Sequence, residues 1–510
     1  MNDLGFPILS LLIWLPLVGA VAVFTLRGTE ANVARNASWI ALWTSLIVLA
    51  LSVVLLAKFS PSVPGFQFTE ALPWLPQLHV SYRLGVDGIS VFFIILTALM
   101  TPIVVLASWR QTKRAREYMA AFLLLETMMI GMFAALDFLL FYIFFEAVLI
   151  PMFLIIGIWG GERRVFAALK FFLYTLVGSL LMLLALVYMW HNAGTTNIVT
   201  LLHTPIPVAA QPYLFLAFLA AFGVKAALWP LHTWLPDAYA QAPLPGTIML
   251  AAILSKMGAY GFLRFVVPML PQAATYFEPL MFTLGVVAMI YASYAALAQT
   301  DMKRMIAYSS IAHMGLIIVG IFAFNIEGIE GALFQMVSHS LVTAALFVCV
   351  GVLLGRGVSL DLSKLGGLAQ RMPVFAVLLV IFALANMGMP GTSGFIGEIL
   401  VMVGAIKVNF WVALLSASGM VLAAAYMLVM VRRVLYDNRS QAIMALPGDI
   451  NLREAAMFAP LVLLVLLLGV YPGLVTHLLD SSVQSMVQLH LAALQAAPNH
   501  ASTHLAMVTK

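Results

Sequence analysis

Along this chain apolar residues repeatedly run on for longer than a water-soluble helix or strand requires. Fourteen such runs can be marked, each reaching the ~20 residues that carry an α-helix across the hydrocarbon of a bilayer. They cover residues 8–26, 38–57, 86–109, 118–136, 138–158, 165–190, 211–240, 244–267, 276–299, 304–323, 328–354, 373–406, 410–431 and 454–476. Only the division at Asp137, between the fourth and fifth runs, is weakly marked. Inside lipid every backbone N–H and C=O needs a partner within the protein, and a helix supplies one within its own segment. The expected fold is an all-α polytopic membrane protein of about 14 transmembrane helices. The charged fraction agrees, at 9% where a soluble domain carries roughly 25%.

Loop charge gives the orientation. Connections that follow odd-numbered spans hold 17 of the 25 Lys and Arg residues, and the opposite side holds 5. The first set is expected in the cytoplasm, with both termini on the far side. The net charge of +5 comes from these loops and gives no sign of a nucleic-acid partner. The opening Met-Asn-Asp-Leu lacks the basic region of a signal peptide, so the first apolar run is expected to stay as a helix. A lone cysteine, Cys349, excludes a disulfide framework and any CxxC cluster site within the chain. No glycine-rich nucleotide loop follows a strand-like run. Residues 60–85 are proline-rich and suit a short hairpin pairing Phe66–Phe68 with Val80–Tyr82. The tail is expected to be amphipathic around Val483–Leu494 and polar beyond.

Lys225 and Pro230 give the seventh run a special character. A lysine stands where lipid-facing residues belong. Five residues later a proline has no N–H to give, and its ring clashes with the carbonyl of Ala226. The span is therefore expected to break beside a buried cation, as helices do at transporter ion sites. The twelfth run repeats the plan. Pro212 and Pro373 open the two runs, and Lys225 and Asn386 each lie 13 residues on. Pro230 and Gly388-Met389-Pro390-Gly391 are the two breakers, and Asp237 and Glu398 follow them. One span earlier, Thr175 aligns with His339. The repeating units are spans four to eight (118–267) and nine to thirteen (276–435), flanked by spans one to three (1–117) and by a last span with the tail (436–510). Five is an odd number, so consecutive units enter the membrane from opposite sides, as an inverted repeat.

A charge at the bilayer centre costs about 2.5–3.5 kcal/mol on insertion scales, so each ionisable group there needs a partner, water or a task. Glu146, Lys225, Lys256, His313, His339 and Glu398 all sit in mid-span, on six different spans. A carboxylate beside a buried lysine stabilises its charged form, and separating the two releases it. Histidine titrates near neutrality and can hand a proton on. Taken together the six read as a proton relay. Each has a plainer reading too. Glu146 with Lys225 can be an inert pair, Lys256 a packing salt bridge, and either histidine a hydrogen-bonded interior residue. Glu398 can cap the half-helix after the second break. Lys170 can snorkel or pair with Glu162, while His232 and Asp237 can satisfy backbone or line the interface.

Three stretches carry a family resemblance: Leu231-His-Thr-Trp-Leu-Pro-Asp-Ala-Tyr-Ala-Gln-Ala-Pro-Leu-Pro-Gly-Thr, Asp301-Met-Lys-Arg-Met-Ile-Ala-Tyr-Ser-Ser-Ile-Ala-His-Met-Gly and Gly388-Met-Pro-Gly-Thr-Ser-Gly-Phe-Ile-Gly-Glu. The chain resembles, over nearly all its length, the antiporter-like proton-pumping subunits of respiratory complex I. In the L and N branches and in Mrp-type antiporter subunits a lysine is usual on the broken twelfth span. Glu398 sets this chain apart from them. The resemblance implies that Glu146 modulates the central Lys225, that Lys256 connects the two halves, that His313 and His339 lie in the second half-channel, and that Glu398 is the terminal carrier. It implies a chain with no cofactor of its own, with FMN, iron–sulfur clusters and quinone held by other subunits. The implied partners are other membrane-arm subunits, above all neighbouring antiporter-like ones, in a bacterial inner membrane. A Na⁺/H⁺ antiporter subunit and a membrane subunit of an energy-converting hydrogenase share the plan and remain the alternatives.

Overall fold

The computed structural model describes residues 5–437 and 448–495. The opening Met-Asn-Asp-Leu and the polar end of the tail lie outside them. Among the described residues 11 helices are long and apolar enough to cross a membrane, and Ile8–Phe24, Gln211–Lys225 and Pro373–Asn386 are shorter apolar helices. Those three stand where the first, seventh and twelfth spans are expected. The last two fall short because each ends at a break. The chain is an all-α polytopic membrane protein.

Caps fix the boundaries that apolar runs leave vague. The fourth span, Ala115–Ala134, stops, and Asp137 then caps the fifth, Phe138–Trp159. Its Oδ1 accepts from the N–H groups of Leu139 and Leu140, and its Oδ2 from Ser81 N–H and the Thr196 hydroxyl at 2.7 Å. One side chain thus takes up orphan helix N–H groups and ties three segments together. Asp301, Asn325, Asn409 and Asn451 cap later spans in the same way.

The hairpin is longer than expected and its register is different: Val80, Ser81 and Tyr82 pair with Leu75, Pro73 and Leu72 instead of Phe66–Phe68, and Gln67 pairs with Val86. Strand β1 (Gln67–Leu75) pairs antiparallel with β2 (Val80–Val86). Glu70 on β1 accepts from Leu9 N–H at 2.8 Å and Ser10 N–H at 3.1 Å, so its carboxylate closes the N-terminus of the first span. A short reading of strand propensity could not include this pairing, because a hairpin this exposed is held by its contacts to the helices.

The end of the chain also differs. The fourteenth span is Leu452–Val470, and a second helix, Gly473–Gln495, follows at once. Pro472 separates them, since it cannot continue the hydrogen-bond ladder. The second helix is the expected amphipathic element, ten residues longer at its start. Ser482 accepts from Gly88 N–H at 3.0 Å, and His490 donates from Nδ1 to the Val267 carbonyl at 2.9 Å while stacking on Phe324 at 4.4 Å. The helix therefore straps the start of the third span to the end of the eighth and to the loop before the eleventh. Nearby, Arg264 forks onto Asp87 with two bonds of 2.8 Å, both residues buried.

Candidate functional site

The first polar cluster forms at the break in the seventh span. The helix ends at Lys225, Ala227 adopts a left-handed φ of +53°, and the Trp229–Pro230 bond is cis. A half-helix resumes at Trp234 and runs to Gln241. The freed backbone is paired locally: Leu228 N–H reaches Gly223 O at 2.9 Å, and the Trp234 indole donates to the Val224 carbonyl at 2.8 Å. This is how an interrupted helix is tolerated at membrane depth.

Lys225 is buried. Its ammonium lies 4.5 Å from the centre of the Phe145 ring and 3.4 Å from the Phe145 carbonyl oxygen. The expected direct pair with Glu146 does not form, since no ion pair within 4.0 Å joins them. The sequence placed both residues in mid-run, but it could not say where each side chain points. Glu146 is half-buried, and its Oε1 has no partner from the protein. The fifth span is itself interrupted at Val148, where Pro151 leaves the carbonyl of Ala147 without its helical donor. Lys225 thus meets the fifth span through a backbone carbonyl and an aromatic face, one residue from the carboxylate.

The second cluster is a closely spaced row. Lys256 lies on the eighth span, Leu244–Met269, between two π-helical turns at Leu250–Leu254 and Phe262–Val266. Such turns are uncommon and often mark functional sites. Lys256 Nζ stands 2.7 Å from His339 Nδ1 and also donates to the Ala251 carbonyl. The His339 and His313 rings lie 5.1 Å apart, and His313 Nδ1 is 3.7 Å from Glu398 Oε1. All four side chains are buried. Four residues from the eighth, eleventh, tenth and twelfth spans thus form one polar line through apolar packing.

Glu398 is held by the second break. The half-helix Pro373–Asn386 ends, Gly388 and Gly391 take φ of +71° and +90°, and a second half-helix begins at Ser393. Ser338 of the eleventh span and Ser393 share a hydroxyl hydrogen bond of 2.7 Å. The Glu398 carboxylate packs on Gly388, where any Cβ would collide with it. It accepts from no backbone N–H, and its Oε2 has no partner from the protein, so it does not cap the half-helix.

No hydrogen bond joins Lys225 to Lys256. The two spans touch instead at Gly258, whose Cβ position is filled by Phe222 and Ala226 beside the first break. Lys170 does not pair with Glu162. Its Nζ lies 2.8 Å from Asp237, which also takes Arg304 at 3.2 Å. His232 is buried against Tyr291, and its Nδ1 has no partner from the protein.

Several polar residues of this interior escaped the reading of the sequence. Gln335 Nε2 is 3.3 Å from His313 Nδ1, and Ser416 and Tyr426 are buried nearby. Glu126 of the fourth span is fully buried, and neither carboxylate oxygen has a partner from the protein. The rule that singled out Glu146 applied equally to Glu126, which lies in mid-run. The uncharged residues gave no comparable signal.

Comparison with known proteins follows the same lines. Residues 135–423 match the family described as NADH:quinone oxidoreductase/Mrp antiporter, TM. Residues 31–135 match NADH-ubiquinone oxidoreductase chain 4, amino terminus. NADH-quinone oxidoreductase subunit M of Rhodobacter capsulatus is 50% identical, covering 96% of this chain and 98% of its own. Chain 4 of Marchantia polymorpha is 45% identical over 94% of this chain and 97% of its own. A chain in the structure of respiratory complex I from Thermus thermophilus superposes with a TM-score of 0.87 at 31% identity, covering 94% of this chain and 99% of that one.

Proposed function

The chain belongs to the subunit M/chain 4 family of NADH–quinone oxidoreductases, antiporter-like subunits of the complex I membrane arm, and on that premise we propose that it moves protons across the membrane through its own side chains. The observation that carries this reading is the line Lys256–His339–His313–Glu398, hydrogen-bonded at its first step and closely spaced at the next two. At 2.7 Å the Lys256–His339 contact works in two protonation states. An ammonium can donate to the imidazole nitrogen, or an imidazole N–H can donate to the amine. Exchange between these states moves a proton without moving either residue. His313 receives it next, and Glu398 holds it last.

Lys225 is the gate to this line. The Phe145 carbonyl and ring hold its ammonium, and the charge on Glu146 beside them tunes how firmly the proton stays. Protons enter from the cytoplasmic side, pass Lys225 and Lys256, and leave beyond Glu398. The units 118–267 and 276–435 act as inverted halves with different tasks. Redox chemistry belongs to other subunits, which hold FMN, iron–sulfur clusters and quinone. The drive reaches this chain from neighbouring antiporter-like subunits. Both termini lie on the far side of a bacterial inner membrane.

The chain 4 likeness of the amino-terminal region and the carboxylate at position 398 favour this over a Na⁺/H⁺ antiporter. The test is Glu146→Ala and Lys225→Ala in the assembled complex. NADH-driven proton uptake by inverted vesicles should nearly vanish in each while the complex still assembles. A normal proton-to-electron ratio in both variants would sink the proposal.

A further inference from the structure

The half-helix Trp234–Gln241 ends inside the protein, and its last carbonyls need donors. These come from three other segments. The Thr247 hydroxyl of the eighth span donates to the Tyr239 carbonyl at 3.0 Å, and the Gly161 N–H of the loop before the sixth span donates to the Gln241 carbonyl at 2.8 Å. Lys303 supplies the rest. Its ammonium donates to the Ala242 carbonyl at 2.7 Å and to the Ala240 carbonyl at 3.3 Å.

Lys303 opens the tenth span, Met302–Phe322, within the Asp301-Met-Lys-Arg stretch. A lysine at the start of a span suits water, yet this one is buried. Among the described residues no carboxylate pairs with it within 4.0 Å. A buried cation without a counter-ion is costly. What faces this one is the negative end of a helix, where the unpaired carbonyls carry about half an elementary charge.

The other end of the same half-helix reaches the first break. Trp234 begins it, and its indole holds the Val224 carbonyl, next to Lys225. Trp234 and Gln241 are about 10 Å apart along the axis, a length over which a helix moves as one piece. Where Lys303 pins the last turn therefore decides where the Trp234 indole stands. The indole in turn fixes the turn that carries Lys225.

We propose that Lys303 is a positioning residue for Lys225. Its ammonium fixes the half-helix from the C-terminal end, and Trp234 carries that position to the break. This rests on the proposed role of Lys225 as gate. Lys303 hands on no proton and acts through backbone carbonyls alone.

The test uses the assembled complex carrying Lys303→Met or Lys303→Arg. Methionine fills the space without donor or charge, and arginine keeps both. Loss of a charge-assisted hydrogen bond should slow NADH-driven proton pumping about tenfold in Lys303→Met. Lys303→Arg should keep most of the rate. Trp234→Phe supplies a readout that local packing would not move, because it keeps an aromatic ring and loses the indole N–H. If Lys303 acts through that bond, Lys303→Met adds little to the loss already caused by Trp234→Phe, whereas independent effects multiply. Wild-type pumping by Lys303→Met, equal losses in the Met and Arg variants, or a fully multiplicative double variant overturns the inference. Where the Met chain does not assemble, Lys303→Gln takes its place and the same outcomes are read. Lys225→Ala separates the two levels. If it pumps normally, the proposed function itself fails. If it stops pumping while Lys303→Met pumps like wild type, only the positioning role fails.

Discussion

Lys256 Nζ and His339 Nδ1 stand 2.7 Å apart with both side chains buried, although 83 residues separate them along the chain. Among the described residues neither makes another side-chain hydrogen bond, so this contact is the step at which the proton leaves the lysine. His339→Gln keeps a polar group of similar reach but cannot take up a proton. We expect NADH-driven pumping to fall by roughly 10²-fold, the scale of a lost acid–base group, with assembly unaffected. Proton uptake by vesicles at matched complex content checks this.

Gly388 has no room for a side chain. Its φ of +71° disfavours other residues, and a Cβ there would meet the Glu398 carboxylate. Gly388→Ala should cost about 1–3 kcal/mol of local strain and push Glu398 away from His313. The expected outcome is a complex that assembles and transfers electrons slowly, with pumping reduced as severely as in Glu398→Gln. Pumping at the wild-type rate would show that the carboxylate need not lie against the break.

Asp87 and Arg264 predict an effect on stability. Their forked pair is buried, and Asp87→Ala leaves the guanidinium without its carboxylate. Removing one partner of such a pair costs about 3–5 kcal/mol. We expect a lower thermal midpoint for the purified complex and less of this chain in assembled membranes. Asp87→Ala with Arg264→Met should recover much of the loss, because no buried charge is then left alone.

His490 makes the strap pH-sensitive. Burial pushes its imidazole below the ordinary 6.5, while the bond to the Val267 carbonyl pushes the other way. With the attached form holding a lowered value, the detached helix takes up the proton first as the pH drops through about 6.5. Attachment is therefore fully favourable above that pH and weakens below it. Amide exchange in Gly473–Gln495 should accelerate between pH 7.5 and 5.5 in the wild type, by comparison with a reference peptide. The acceleration should be much smaller in His490→Gln.

Local chemistry was legible from the residues. Pro230 and the glycines at 388 and 391 announce their breaks, because missing N–H groups and left-handed turns act within a few residues. That Lys225, Lys256, His313, His339 and Glu398 would be buried was legible too, since each interrupts an apolar run. Direction was not. Lys225 meets the fifth span at Phe145 and not at the Glu146 carboxylate, and Lys170 reaches Asp237 rather than Glu162. Rotamer choice and packing between distant spans decide such contacts. Ser416 and Tyr426 were invisible for a further reason. An uncharged hydroxyl in an apolar run costs too little to mark its span.

Asp237 has a mechanical consequence. It sits on the half-helix Trp234–Gln241 just past the first break, and it grips Arg304 of the tenth span as well as Lys170 of the sixth. Arg304 and His313 ride on one uninterrupted helix, nine residues apart, or about 14 Å at the helical rise. The two polar clusters share no hydrogen bond, yet they are bolted to the same rod. A tilt of the half-helix beside Lys225 would act as a lever whose far arm carries the imidazole facing Glu398.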